Sequence, residues 1–188
     1  MVIPHIVEAK SMSKKSFPII KPKILSAESF LAFGDVIEAN DQVDNFSIND
    51  GYTQRYHDLA KVDVTNKKGR TLINIFRSRP LKKPIILKSM ERHPLSSQAF
   101  MPMSSQPYLV VVAPAGEFTE SAIEIFIATS KQGVNYHAGT WHHYCLALNK
   151  ISDFLVIDRG GEGDNCETVE LSSPLQVGLD DSNLWAPL

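Results

Sequence analysis

Three of the six histidines in this 188-residue chain, His137, His142 and His143, fall within the single stretch GVNYHAGTWHHYCLAL. A second polar group lies upstream in MERHPLSSQAF, where Glu91 and His93 are followed by Gln98. Imidazole nitrogens beside carboxylate and amide oxygens can do two kinds of chemistry. They can hold a divalent metal such as nickel, iron, manganese or zinc with positions left open for a substrate. They can also trade protons near neutral pH. His137 could serve either as a ligand or as a turn residue bonded to a carbonyl.

The elements carrying these residues restrict which of them can meet. If 141–148 is one regular strand, Trp141, His143, Cys145 and Ala147 share a face, and His142, Tyr144, Leu146 and Leu148 share the other. His142 and His143 then cannot both serve one pocket without a bulge, and His142 is the better candidate. In PIILKSMERH the same rule groups Ile85, Leu87, Ser89, Glu91 and His93, with Lys88, Met90 and Arg92 opposite. In TLINIFR it places Asn74 and Arg77 on opposite faces, so at most one points inward. Asp158, in DRGGEG, reads most simply as part of a turn with a local ion pair.

Short apolar or alternating runs recur along most of the chain: DVIE, FSIN, TLINIFR, PIILKSMERH, QAFMPM, YLVVVA, AIEIFIAT, CLAL and DFLVIDR. Gly, Pro and Asp-Gly punctuate them, which predicts an antiparallel β-barrel or jelly roll and not alternating βαβ units. One short helix is expected over 26–33, capped by Ser26, favoured by Glu28 in its first turn and stopped by Gly34. The length suits one domain. We read residues 1–16 as an N-terminal arm, 17–174 as the domain and 175–188 as a C-terminal tail.

Composition narrows the function class. A net charge of -2 with scattered basic residues gives no nucleic-acid footprint. Two cysteines, Cys145 and Cys166, without a CxxC pair exclude a disulfide framework and point to a reducing, cytoplasmic setting. The first residues do not read as a secretory signal, and no apolar run approaches the roughly 18 residues a membrane span needs. GGEGDN lacks the GxGxxG spacing and GxSxG is absent, so neither an organic dinucleotide cofactor nor a serine hydrolase is expected.

The spacing of Glu91, His93 and Gln98, followed some fifty residues later by His142, resembles the two motifs of the cupin barrel. Glu91 stands in place of the first motif's leading histidine, Gln98 in place of its acid, and His137 in place of the second motif's proline. The resemblance then narrows to one family. INDGYTQRYHDLA, GRTLINIFRSRP, MERHPLSSQAFMPM, LVVVAPAG, QGVNYHAGTWHHYCLAL and DFLVIDRGGEGDNC are, in order, similar to ureidoglycolate lyase. This resemblance implies a mainly β, cupin-like homodimeric enzyme of allantoin and purine breakdown, splitting ureidoglycolate into glyoxylate and urea. It also implies a divalent metal, with nickel favoured.

Ureidoglycolate carries a carboxylate, a hydroxyl and a urea nitrogen on one carbon. Its cleavage needs a base for the hydroxyl, a proton for the leaving nitrogen and an anchor for the carboxylate. On this reading His93 and His142 are metal ligands or the acid–base pair, and Glu91 and Gln98 complete or orient that set. The carboxylate needs the bidentate fork of an arginine, for which Arg77, Arg55 and Arg92 are candidates, with Arg77 preferred because it ends a strand near the expected mouth of the barrel. Asn74 and Tyr136 are candidates for the ureido group, and His57 and His137 for further substrate contacts. The rival activities are an amidohydrolase releasing ammonia from the same substrate, another small-molecule cupin enzyme, and a binding cupin without catalysis.

Overall fold

The run YLVVVA offers no polar face, and a strand that must hide both sides needs a layer of protein on each. All six of its residues are buried, and they lie at the centre of the fold. The structure, a computed structural model, describes residues 17–179. The arm expected over 1–16 and the part of the expected tail from 180 onward lie outside the described residues.

In chain order the strands are β1 (Ile19–Ile20), β2 (Lys23–Ile24), β3 (Gly34–Ile37), β4 (Asn45–Ile48), β5 (Thr53–Tyr56), β6 (Arg70–Ser78), β7 (Ile86–Arg92) and β8 (Gln98–Pro102). They continue as β9 (Tyr108–Ala113), β10 (Glu124–Ala128), β11 (Gly133–Tyr136), β12 (Trp141–His142), β13 (Leu146–Ala147), β14 (Ser152–Gly160) and β15 (Glu167–Val177). An eight-stranded sheet runs β1-β15-β7-β12-β9-β10-β2, with β13 also on β9, and a five-stranded sheet runs β3-β11-β8-β14-β6. The β4–β5 hairpin forms a separate two-stranded sheet. Pairing is antiparallel except where the short β1 and β2 join β15 and β10. The fold is mainly β and cupin-like.

Strand alternation divides the core in two. Leu109, Val111 and Ala113 of β9 point into an aliphatic cluster with Ile125, Leu87, Met90 and Trp141, all from the larger sheet curled on itself. Tyr108, Val110 and Val112 point the other way, into a cluster with Phe100, Tyr136, Phe154 and Phe30 that joins the two sheets. Fully buried side chains such as Leu87, Val110 and Val112 each contribute roughly 1.5–3 kcal/mol of transfer free energy. The helix α1 (Ala27–Phe30) lids the aromatic cluster. Its start follows the sequence reading: Ser26 accepts the Ser29 N–H in a capping box, Glu28 lies in the first turn, and Phe30 is buried.

Three expectations are corrected. The stretch 141–148 is not one strand. His142 lies opposite Val112 and Leu146 opposite Leu109, so four steps on one side match three on β9. That extra residue reverses the faces, and Leu146 and Leu148 join Trp141 in the aliphatic cluster instead of sharing His142's side. Ile85, just before β7, and Leu87 and Met90 within it occupy one cluster, so alternation breaks between Leu87 and Met90. The break coincides with a register slip in the facing strand between Glu170 and Leu175. Ile85 and Leu87 therefore do not share the face of Glu91 and His93. Finally, the boundary at 174 falls inside β15, whose Leu175 and Val177 are buried core residues.

Candidate active site

Glu91 is the penultimate residue of β7, and His142 lies directly opposite it on β12. Cross-strand neighbours of this kind bring side chains together without any long-range coincidence. His93 follows just past the end of β7, where its carbonyl accepts the Gly139 N–H at 2.9 Å and so ties the turn before β12 to the end of β7. One ligand atom from each of Glu91, His93 and His142 lies within 4.8 Å of the others. The two imidazole rings stand 5.1 Å apart, centroid to centroid.

The ring nitrogens are sorted by their partners. Nδ1 of His93 lies 2.5 Å from the main-chain oxygen of Asn165, and Nδ1 of His142 lies 3.0 Å from that of Thr140. A carbonyl only accepts, so in the neutral ring each Nδ1 carries the proton and each Nε2 keeps a lone pair. Both Nε2 atoms are buried and have no hydrogen-bond partner. Buried polar atoms are rarely left so. Two bare imidazole nitrogens beside a carboxylate, each ring held from behind by a carbonyl, form a donor set that fits a divalent metal ion.

Electrostatics keep His142 in that state. Burial, reinforced by the nearby His93, pushes the His142 pKa down to about 3, so its ring stays neutral at physiological pH. Burial raises the Glu91 carboxyl, and His93 partly offsets this. The Tyr136 ring stacks on His142 at 4.4 Å and 13°, fixing its plane from the aromatic core.

Glu91 and His93 open into a cleft of about 540 Å³ that Arg77, Gln98, Phe100 and Cys145 also line. Arg77 donates through Nε and Nη2 to both oxygens of Asp153, at 2.7 and 2.8 Å. Gln98, buried on β8, bonds to Asp158, as does Asn74, whose Nδ2 lies 3.0 Å from Asp158 Oδ1. Tyr136 backs His142 and is buried, which holds its hydroxyl far above its ordinary pKa.

The remaining sequence candidates lie elsewhere. His137 is half-exposed and pairs with Asp35 at 3.1 Å. The Arg55 guanidinium sits 5.7 Å over Phe46 on the β4–β5 hairpin. His57 packs edge-on against the same ring and lines a separate cleft with Asp35, Asp44 and Asp58. Asp158 was underread: it is in β14, not a turn, and bonds to amides, not to an arginine. Burial raises its carboxyl, with Gln98 the largest opposing influence, and it shares a small cavity with His93, Gln98 and Asn165. Alternation could have found it, since Phe154 and Val156, at the two preceding same-face positions, are fully buried.

Fold and site define a cupin-like barrel enzyme with a two-histidine, one-carboxylate centre suited to a divalent metal. Residues 17–178 match the family model described as ureidoglycolate lyase. Relatives named ureidoglycolate lyase include one from Burkholderia mallei (strain NCTC 10229), 48% identical over 162 residues, covering 86% of this chain and 94% of the relative. Another, from Pseudomonas syringae pv. syringae (strain B728a), is 49% identical over 150 residues, covering 79% and 86% respectively. The chain belongs to the ureidoglycolate lyase family.

Proposed function

We propose that this protein cleaves ureidoglycolate to glyoxylate and urea, with the reaction centred on Glu91, His93 and His142. The observation that carries the proposal is the pair of buried, unpartnered Nε2 lone pairs beside the Glu91 carboxylate. Those three residues would hold a divalent ion, nickel on the family resemblance. When bound, the ion supplies Lewis acidity that favours loss of the substrate's hydroxyl proton and polarises the forming carbonyl.

The chain's own groups do the rest. The hydroxyl loses its proton, the carbon–oxygen bond becomes a carbonyl, the carbon–nitrogen bond breaks, and the nitrogen takes a proton to leave as urea. Arg77 uses Nε and Nη2 on Asp153, which leaves its Nη1–Nη2 edge as a second fork for the substrate carboxylate. Asp158 would serve the ureido group, its carboxyl raised by burial and bonded by Gln98 and Asn74. The Phe76 and Phe100 rings narrow the cleft around this reaction.

A homodimer belongs to the same reading. Edge strand β6 exposes Ile73 and Ile75, apolar side chains that a second copy could cover. Light scattering on the pure protein tests it, and a monomeric mass at micromolar concentration would refute it.

The decisive assay follows glyoxylate and urea together, with and without chelator. Equimolar glyoxylate and urea, lost on chelation and restored by one metal, is the expected result. Ammonia formed without urea would make the enzyme an amidohydrolase instead.

A further inference from the structure

The segment 161–166 between β14 and β15 has no strand partner, yet one of its carbonyls decides which nitrogen of His93 carries the proton. That carbonyl belongs to Asn165, and its oxygen lies 2.5 Å from His93 Nδ1. The Asn165 side chain grips the turn that follows His93. Its Oδ1 accepts the Leu95 N–H at 2.8 Å, and its Nδ2 donates to Ser96 Oγ at 2.9 Å. One residue therefore touches the β7–β8 turn at three points, and the two side-chain bonds fix where the third falls.

Further contacts along the segment flank this grip. Arg159 donates to the Glu162 carbonyl at 2.8 Å. Gly163, at φ +94°, passes so close that an added Cβ would sit 3.1 Å from Leu95 Cδ1. The other imidazole repeats the arrangement. Thr140, whose carbonyl orients His142, is itself anchored by its hydroxyl, which donates to the Phe33 carbonyl at 2.9 Å. In both cases a tethered side chain holds its own main-chain carbonyl behind a ring.

We propose that Asn165 is a positioning residue: its side chain locks its carbonyl against His93, so that His93 presents Nε2 to the cleft with its lone pair free. The effect on catalysis rests on the function proposed above. The effect on His93 does not, because it is a property of the metal-free protein.

The test is a long-range proton–nitrogen correlation spectrum of histidine-labelled, metal-free, full-length protein. Wild type shows His93 in the Nδ1–H tautomer alone. Asn165→Ala shows both tautomers, and its kcat/KM on ureidoglycolate falls about 10–100-fold, the usual cost of losing the group behind a ligating histidine. Asn165→Asp restores the single tautomer, because a carboxylate can accept from both the Leu95 N–H and the Ser96 hydroxyl. Ser96→Ala removes one bond of the two and gives a partial mixture, which keeps the test open should Asn165→Ala fail to fold. A single Nδ1–H tautomer in Asn165→Ala or, failing that variant, in Ser96→Ala would overturn the proposal, as would an Asn165→Asp no better than alanine. Wild-type inactivity on ureidoglycolate would sink the function reading alone, since the tautomers still decide this one.

Discussion

His142 and His143 are neighbours in sequence, both buried, and both point Nδ1 at a main-chain carbonyl. Their surroundings differ in every other respect. His142 closes strand β12, faces the aromatic side of the core, lies opposite Glu91 and leaves Nε2 buried without a partner. His143 begins the bulge that follows. Its amide still bonds to the Val111 carbonyl, but its ring packs on exposed Tyr144 and lines a different cleft with Lys82, Lys88 and Glu170. Burial and a carbonyl behind the ring are therefore common to both. The difference is a second nitrogen that is buried without a hydrogen bond, 3.7 Å from the Glu91 carboxylate.

The widest separation is expected in turnover. His142→Ala should lower kcat/KM by about 10²–10⁴-fold, the range for removing a central acid–base or ligand group. His143→Ala should change it by less than about threefold, with its loss appearing as a lower melting temperature from the cavity left behind. Steady-state kinetics with thermal melts on both variants checks this, and equal losses of turnover would erase the distinction. Next in size is Glu91→Gln, which keeps the shape and removes the charge. It should cost about 10–100-fold in kcat/KM and weaken metal retention, measured by calorimetric titration.

A pH series sharpens the contrast through stability. The folded pKa of His142 is about 3, below the ordinary 6.5, so the unfolded chain takes up that proton first as pH falls. Stability contributed by the neutral ring is full above 6.5 and is lost as pH drops from there toward 3. The steepest slope is about 1.4 kcal/mol per pH unit for one group. Denaturant melts between pH 7 and 4 should show a shallower loss in His142→Gln than in wild type, and parallel curves would count against it. The smallest effect belongs to His137, whose pair with Asp35 is half-exposed. His137→Ala should cost about 0.2–1 kcal/mol and leave turnover unchanged, as comparison of melts and initial rates would show.

Much of this was legible in the sequence. The β-rich pattern and the Ser26 cap are local signals, and the structure carries both. Glu91 and His93 share a side-chain direction because both lie beyond the irregular part of β7. Strand parity also separated His142 from His143 correctly at the first step. It failed further along wherever one chain gained residues on its partner, at 142–146 and again at 170–175, because a slip depends on the opposite strand, which no local window contains. The longest strand, ETVELSSPLQV, escaped notice for a related reason. Its serines and proline sit where the ladder is interrupted, and they mask a run whose ends are core. Asn165 and Thr140 act on the histidines through main-chain carbonyls, an action that leaves no mark in residue type.

Finally, the position of β9 has a kinetic meaning. Its two buried faces and the strands beside it place its amides among those that exchange with solvent only on global opening. The His143 amide is bonded to Val111, and Trp141 and His142 are laddered to Ala113 and Val112. In hydrogen exchange, the segment bearing His142 should be protected for as long as the molecule stays folded. The loop bearing Asn165, which no strand pairs with, should exchange by local fluctuation much earlier. One half of the centre is thus as durable as the fold, and the other is set by the few bonds that hold a loop in place.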